Sequence, residues 1–199
     1  MRRDAEERHE RIVAAARELY CALPPERVTH TAVAERAGVG IATLYRHFPD
    51  RDRLGEAVAV DVLHRAVDLL EDRLAEARAA GSGDGRRPAI RAAWEGAIDG
   101  LVELGIGPLV PALAPESFEQ LSPPAVELKN AAERALGGLV SLAAEAGLVH
   151  PGLTTRRLIA TLIVCTRPPT PGVKELEPQV GAVLVRLLLR GGWAQDPGE

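Results

Sequence analysis

Apolar residues recur along this chain at spacings of three and four, the period of an amphipathic helix, and no stretch alternates convincingly as a strand would. Ile12, Ala15, Ala16, Leu19 and Leu23 form one such face, which Pro24-Pro25 ends. A short segment from Thr31 to Ala37 sets Val33, Ala34 and Ala37 on one side, and Gly38-Val39-Gly40 breaks it, because glycine takes the left-handed conformation a helix end needs. A third helix is expected from about Ile41 to Phe48, with Leu44 and Phe48 facing inward. Asp50 is placed to cap a long helix reaching about Ala80 and carrying Leu54, Val58, Val62, Leu69 and Leu70.

Gly81-Ser82-Gly83-Asp84-Gly85 reads as a linker. Beyond it Pro88 opens a helix to about Leu104, closed by Gly105 and Gly107. Residues 108–122 are proline-rich and predict a short helix and loop. Ser122 is placed to cap a helix from Pro123 to near Gly147, and Thr154 or Thr155 opens another that stops before Pro168-Pro169. The last helix is expected from about Glu177 to Arg190, with Val180, Val183, Leu184, Leu187 and Leu188 in register and Gly191-Gly192 at its end. About nine helices and no sheet define an all-α class.

Composition narrows what such a chain does. Of 199 residues, 46% are hydrophobic and 26% charged, enough for a packed core and too apolar for a disordered chain. The charged amino terminus does not resemble a signal peptide, no apolar run is long enough to span a membrane, and two cysteines make no disulfide framework, so a cytoplasmic location is expected. Cys21 and Cys165 read as buried, inert thiols. The net charge is -4, so any nucleic-acid binding must come from a local arrangement of cations. Only six aromatic residues are present, and the carboxyl-terminal part holds just Trp94, Phe118 and Trp193. A pocket there must be lined mainly by aliphatic side chains.

Residues 31–48, TAVAERAGVGIATLYRHF, carry the chemistry. They read as helix, glycine turn and helix, with small residues where two helices cross closely: the helix-turn-helix arrangement, whose second helix enters the DNA major groove. Its exposed face would carry Gly40, Ala42, Thr43, Arg46 and His47. Arg46 is the only long cation there, and an arginine paired to guanine O6 and N7 is the commonest specific base contact. Thr43 and Tyr45 offer hydroxyls to phosphate oxygens, which fix register without reading sequence. Arg51 adds a cation at the start of the next helix, whose amino terminus favours an anion. Residues 1–53 hold ten arginines against nine acidic residues, so binding should be moderate and strongly salt-dependent.

The run AGVGIATLYRHFPDRDRL resembles the DNA-binding signature of the tetracycline-repressor (TetR, AcrR-like) family of bacterial transcription regulators, over roughly residues 8–60. Thr43-Leu44-Tyr45 followed by Phe48, a turn and a basic residue at 51 is specific when taken together. The family usually has Lys where Arg51 stands, and often a Phe and Gly where this chain has Tyr20 to Pro25. The resemblance implies DNA contacts at His30, Thr31, Ile41, Ala42, Thr43, Tyr45, Arg46, His47 and Arg51. Tyr45 and Arg51 would touch phosphates, Arg46 would read a base, and Ala42 or Ile41 would meet a thymine methyl. It also implies an amino-terminal DNA-binding domain, residues 1–53, and a helical ligand-binding and dimerisation domain, residues 54–199.

The last two helices are apolar nearly all round, so each must be buried on more than one side. One side would be the internal core and the other a second copy of the chain, giving a homodimer through a four-helix interface, as the resemblance also implies. Two-fold symmetry would then require a near-palindromic operator in double-stranded DNA. A small apolar effector bound among the later helices would shift the long fourth helix and release the operator. Candidate pocket residues are His64, Trp94, Leu101, Phe118, Leu139 and Ile163. No metal-ligand spacing, catalytic-serine motif or phosphate-binding glycine loop is present, so neither an enzyme, a metal nor a cofactor is expected. The other reading is a helical small-molecule-binding protein with a weak or vestigial DNA head.

Overall fold

The computed structural model describes residues 2–113 and 121–192, with side chains over 4–113 and 121–190. The described residues are all-α. The helices are α1 Arg2–Ala22, α2 His30–Ala37, α3 Ile41–His47, α4 Arg51–Ala79, α5 Arg86–Glu103, α6 Ile106–Leu113, α7 Pro123–Glu145, α8 Thr155–Thr166, α9 Pro171–Leu176 and α10 Val180–Leu187. A 3₁₀ turn, Pro25–Arg27, lies between α1 and α2, and a π turn, Leu188–Gly192, extends α10. No single described helix is long and apolar enough to cross a membrane.

The chain forms two compact units: residues 1–63 with 108–126, and residues 64–107 with 127–199. In the first, Ile12, Ala16, Val33, Leu44, Phe48, Leu54 and Val58 are buried in one cluster, to which α6 adds Leu109. The predicted faces of the first four helices therefore meet in one place. The Arg17–Asp61 ion pair at 3.2 Å joins α1 to α4, and Arg36 donates its Nε to Glu18 at 2.8 Å, joining α2 to α1. In the second unit the core includes Leu70 and Leu74 of α4, Ile90, Trp94, Ile98 and Leu101 of α5, Leu136 and Leu139 of α7, and Leu158 and Leu162 of α8. Close helix approach there depends on missing side chains. A Cβ at Gly107 would collide with the Thr166 carbonyl oxygen, and one at Gly100 would lie 2.6 Å from Leu69 Cδ2.

Local signals account for most helix ends. Asp50 Oδ1 accepts the Arg53 N–H at 2.8 Å, and Thr154 Oγ1 accepts the Arg157 N–H at 3.2 Å. Ser122 departs from expectation: its carbonyl accepts the Val126 N–H, while its buried hydroxyl has no hydrogen-bond partner. The carboxyl-terminal end is also more broken than the pattern predicts. The helix expected from about Glu177 starts only at Val180, as α10, and a short helix that the periodicity did not predict, α9, precedes it. Pro178 explains the break, because the residue before a proline is pushed out of the helical region, and Glu177 is extended (φ -146°, ψ 95°).

Candidate nucleic-acid interface

The interface begins with the cap of α2. Thr29 is extended, and its Oγ1 accepts the Ala32 N–H at 3.2 Å, so the helix starts at His30. Gly38 ends it at φ 64°, a left-handed conformation that glycine adopts without steric cost. Gly40 is extended, and its carbonyl accepts the N–H groups of Thr43 and Leu44 to open α3. Leu44 and Phe48, four residues apart, are buried in the core. That anchoring fixes which arc of α3 faces out. Gly40, Ile41, Ala42, Tyr45 and Arg46 are exposed, as are Thr31 at the start of α2 and Arg51 at the start of α4. Thr43 and His47 are half-buried beside them.

His30 is the exception among the residues expected to contact DNA. It is 8% exposed, the one buried polar residue of the described core. Its ring stacks on Tyr45 with centroids 4.8 Å apart and planes 4° from parallel. Its Nε2 lies 3.2 Å from the Phe48 carbonyl oxygen, which accepts when that nitrogen carries the proton. The imidazole is a platform beneath Tyr45 and joins the start of α2 to the end of α3, and the tyrosine is 51% exposed. Nothing in the apolar pattern marks His30 as interior. Its place next to the capping Thr29 is the only sequence signal.

The cations are held by short contacts. Arg46 donates from Nη2 to Thr43 Oγ1 at 3.1 Å, one turn back on the same helix. Arg51 donates from Nη2 to the Pro25 carbonyl at 2.6 Å, which ties the start of α4 to the turn after α1 while the rest of its planar fork faces outward. An open depression of about 450 Å³ is lined by Arg8 of α1 with Thr43, Arg46 and His47 of α3. The His47 imidazole is held below its ordinary pKa, first by partial desolvation and then by the neighbouring charges of His9, Arg8 and Arg46. The His9 ring packs 4.9 Å from Phe48 and 6.1 Å from His47, setting α1 against the end of α3.

The effector candidates fall differently. Trp94, Leu101 and Leu139 are buried in the second unit, Ile163 is half-buried and His64 is exposed. Phe118 lies outside the described residues. His64 therefore does not share the interior with the others, because its position on α4 faces away from the Ala66, Leu70 and Leu74 side. Cys21 and Cys165 are half-buried rather than fully buried, and burial raises both thiol pKa values, which disfavours the reactive thiolate. Among the described residues, no group of three or more His, Cys, Asp or Glu is arranged to hold a metal ion.

Two short helices joined by a glycine turn, the second with its apolar edge buried and its cations outward, form a helix-turn-helix, the arrangement that places a helix in the DNA major groove. The chain matches the family model of bacterial regulatory proteins, tetR family, over residues 12–58. It is 39% identical over 69 residues to HTH-type transcriptional regulators of several Staphylococcus aureus strains, such as USA300. That match spans 35% of this chain and 35% of the curated relatives' own length. Among solved structures, the TetR transcription regulatory protein from Mycobacterium vanbaalenii is similar over 96% of this chain and 97% of its own, at 26% identity and a TM-score of 0.52. A TetR transcriptional regulator from Streptomyces coelicolor is similar over 92% and 97%, at 25% identity and a TM-score of 0.54.

Proposed function

We propose that this chain is a transcriptional regulator, acting as a repressor, that binds a near-palindromic operator as a homodimer and releases it when a small apolar effector binds. The observation that carries the reading is the outward arc of α3, where Tyr45 and Arg46 are held over the buried pair Leu44 and Phe48. In the proposed complex Arg46 leaves Thr43 to reach a guanine edge, while Thr31, Thr43, Tyr45, His47 and Arg51 take phosphates. Gly40, Ile41 and Ala42, which are small or apolar, allow close approach to the groove wall. His30 acts by holding the Tyr45 ring. Residues 1–53 serve as the DNA-binding domain and 54–199 as the ligand-binding and dimerisation domain.

Dimerisation is supported by the apolar side chains left on the surface of the second unit. Val164 of α8 is 69% exposed and Leu187 of α10 is 59% exposed, and Leu184 is exposed as well. A second copy would cover them. Effector release follows from linkage: a ligand that favours one spacing of the two DNA-binding domains disfavours an operator matched to another. The continuous α4 contributes residues to both compact units and is the element through which we propose the spacing changes.

Selection of bound fragments from the source genome, followed by anisotropy titration against a random duplex, tests the reading. Wild-type protein is expected to prefer the selected fragment by at least about a thousandfold at moderate salt. Arg46→Ala is expected to remove most of that preference. If wild type retains no fragment over random duplex, the alternative of a helical ligand-binding protein with a vestigial DNA head takes its place.

A further inference from the structure

We propose that the depression between α1 and α3 seats one backbone phosphate of the bound duplex, with Arg8 as a ligand supplied from outside the helix-turn-helix. This inference rests on the DNA-binding reading above and extends the interface to a residue that the motif does not contain. The depression is lined by two guanidinium groups, a hydroxyl and an imidazole, and no carboxylate is among the lining residues. With Arg46 turned to a base edge, the Arg8 guanidinium, the Thr43 hydroxyl and the His47 imidazole remain, and a phosphodiester oxygen accepts from all three. The volume, about 450 Å³, admits a phosphate with its adjoining sugar.

Electrostatics agrees with the shape. After desolvation, the influences that hold His47 down are all positive: His9, Arg8 and Arg46. Cations gathered at one place raise each other's energy, and an anion seated among them relieves that repulsion. The position of Arg8 is also fixed. α1 is held to its neighbours by the His9–Phe48 ring contact at 4.9 Å, by Arg36–Glu18 and by Arg17–Asp61. Arg8 therefore meets the depression as part of a packed helix. Because Arg8 belongs to α1 and not to the helix that presents base-reading side chains, it is assigned to the backbone and carries no sequence preference.

The test measures the affinity of the full chain for a selected operator fragment and for random duplex, each over a range of salt, with wild type, Arg8→Ala and Arg8→Lys. Arg8→Ala is expected to weaken both duplexes about three- to tenfold and to flatten the plot of log K against log salt by about one unit per bound chain. Arg8→Lys, which keeps a point charge suited to phosphate, is expected to restore most of the affinity and the slope. Unchanged melting curves for both variants would show that the fold is intact. A wild type that binds while Arg8→Ala matches it in affinity and slope overturns the seat and leaves the DNA-binding reading standing. An Arg8→Ala loss confined to the operator also overturns it, since that marks a base contact. A wild type that binds neither duplex removes the DNA-binding reading and the seat together.

Discussion

At the scale of single residues, the interface depends on which side chains are fixed from below. His30 stacks on Tyr45 and bonds to the Phe48 carbonyl, so His30→Ala removes a buried ring and leaves an acceptor unpaired. The expected cost is about 1–3 kcal/mol in urea unfolding, with DNA affinity falling beyond what the stability loss explains. Tyr45→Phe keeps the stack and the melting temperature but weakens binding, because only the hydroxyl is lost. His47 gives a separate check by NMR titration. Partial desolvation and the charges of His9, Arg8 and Arg46 disfavour its protonated form, so its midpoint lies below the ordinary imidazole value. Removing one cation with Arg8→Ala moves that midpoint up, whereas a fall would contradict the electrostatic picture. The outward placement of Tyr45 and Arg46 was legible in the sequence, because Leu44 and Phe48 four residues apart define the buried edge of a short helix. The burial of His30 was not. It depends on the angle at which α2 crosses α3, which no periodicity along one strand of sequence records.

At the scale of elements, capping and glycine chemistry decide where helices start, stop and touch. Thr29→Ala and Thr154→Ala each remove a side-chain acceptor from a helix start, and each is expected to cost about 1 kcal/mol in chemical unfolding. Gly107 is a harsher site. Its added Cβ would meet backbone atoms of Thr166 rather than a movable side chain, so Gly107→Ala is expected to cost about 3 kcal/mol or more. A cost below about 1 kcal/mol would mean that the close approach of α6 to the end of α8 is not required. The helices from α2 through α8 were legible to within a few residues because prolines, glycines and the Asp50 and Thr154 caps bracket them. The last stretch was not. Its expected start at Glu177 took no account of Pro178, and the backbone restriction before that proline delays the helix to Val180. Thr170-Pro171 carried a signal for the start of α9, a proline in the first helical turn.

At the scale of the whole molecule, the apolar periodicity of the last two helices states that more than one side must be covered without naming what covers it. Val164 and Leu187 remain outward on the single chain while Leu158, Leu162 and Val185 are inside. Under the dimer proposal, Leu187→Glu shifts sedimentation towards the monomer and weakens operator binding together, because each head loses its partner. Retention of the dimer by that variant would place the interface elsewhere. The effector pocket was the least legible feature: Trp94, Leu101 and Leu139 are core positions, and hydrophobicity alone does not separate a core from a chamber. The central claim, that α3 lies in the major groove twice over, is tested most directly by a hydroxyl-radical footprint on the selected fragment. The account predicts two protected segments, related by a near-palindrome and centred about one helical turn or slightly more apart on one face of the duplex. A single protected segment, or uniform protection without symmetry, would contradict it.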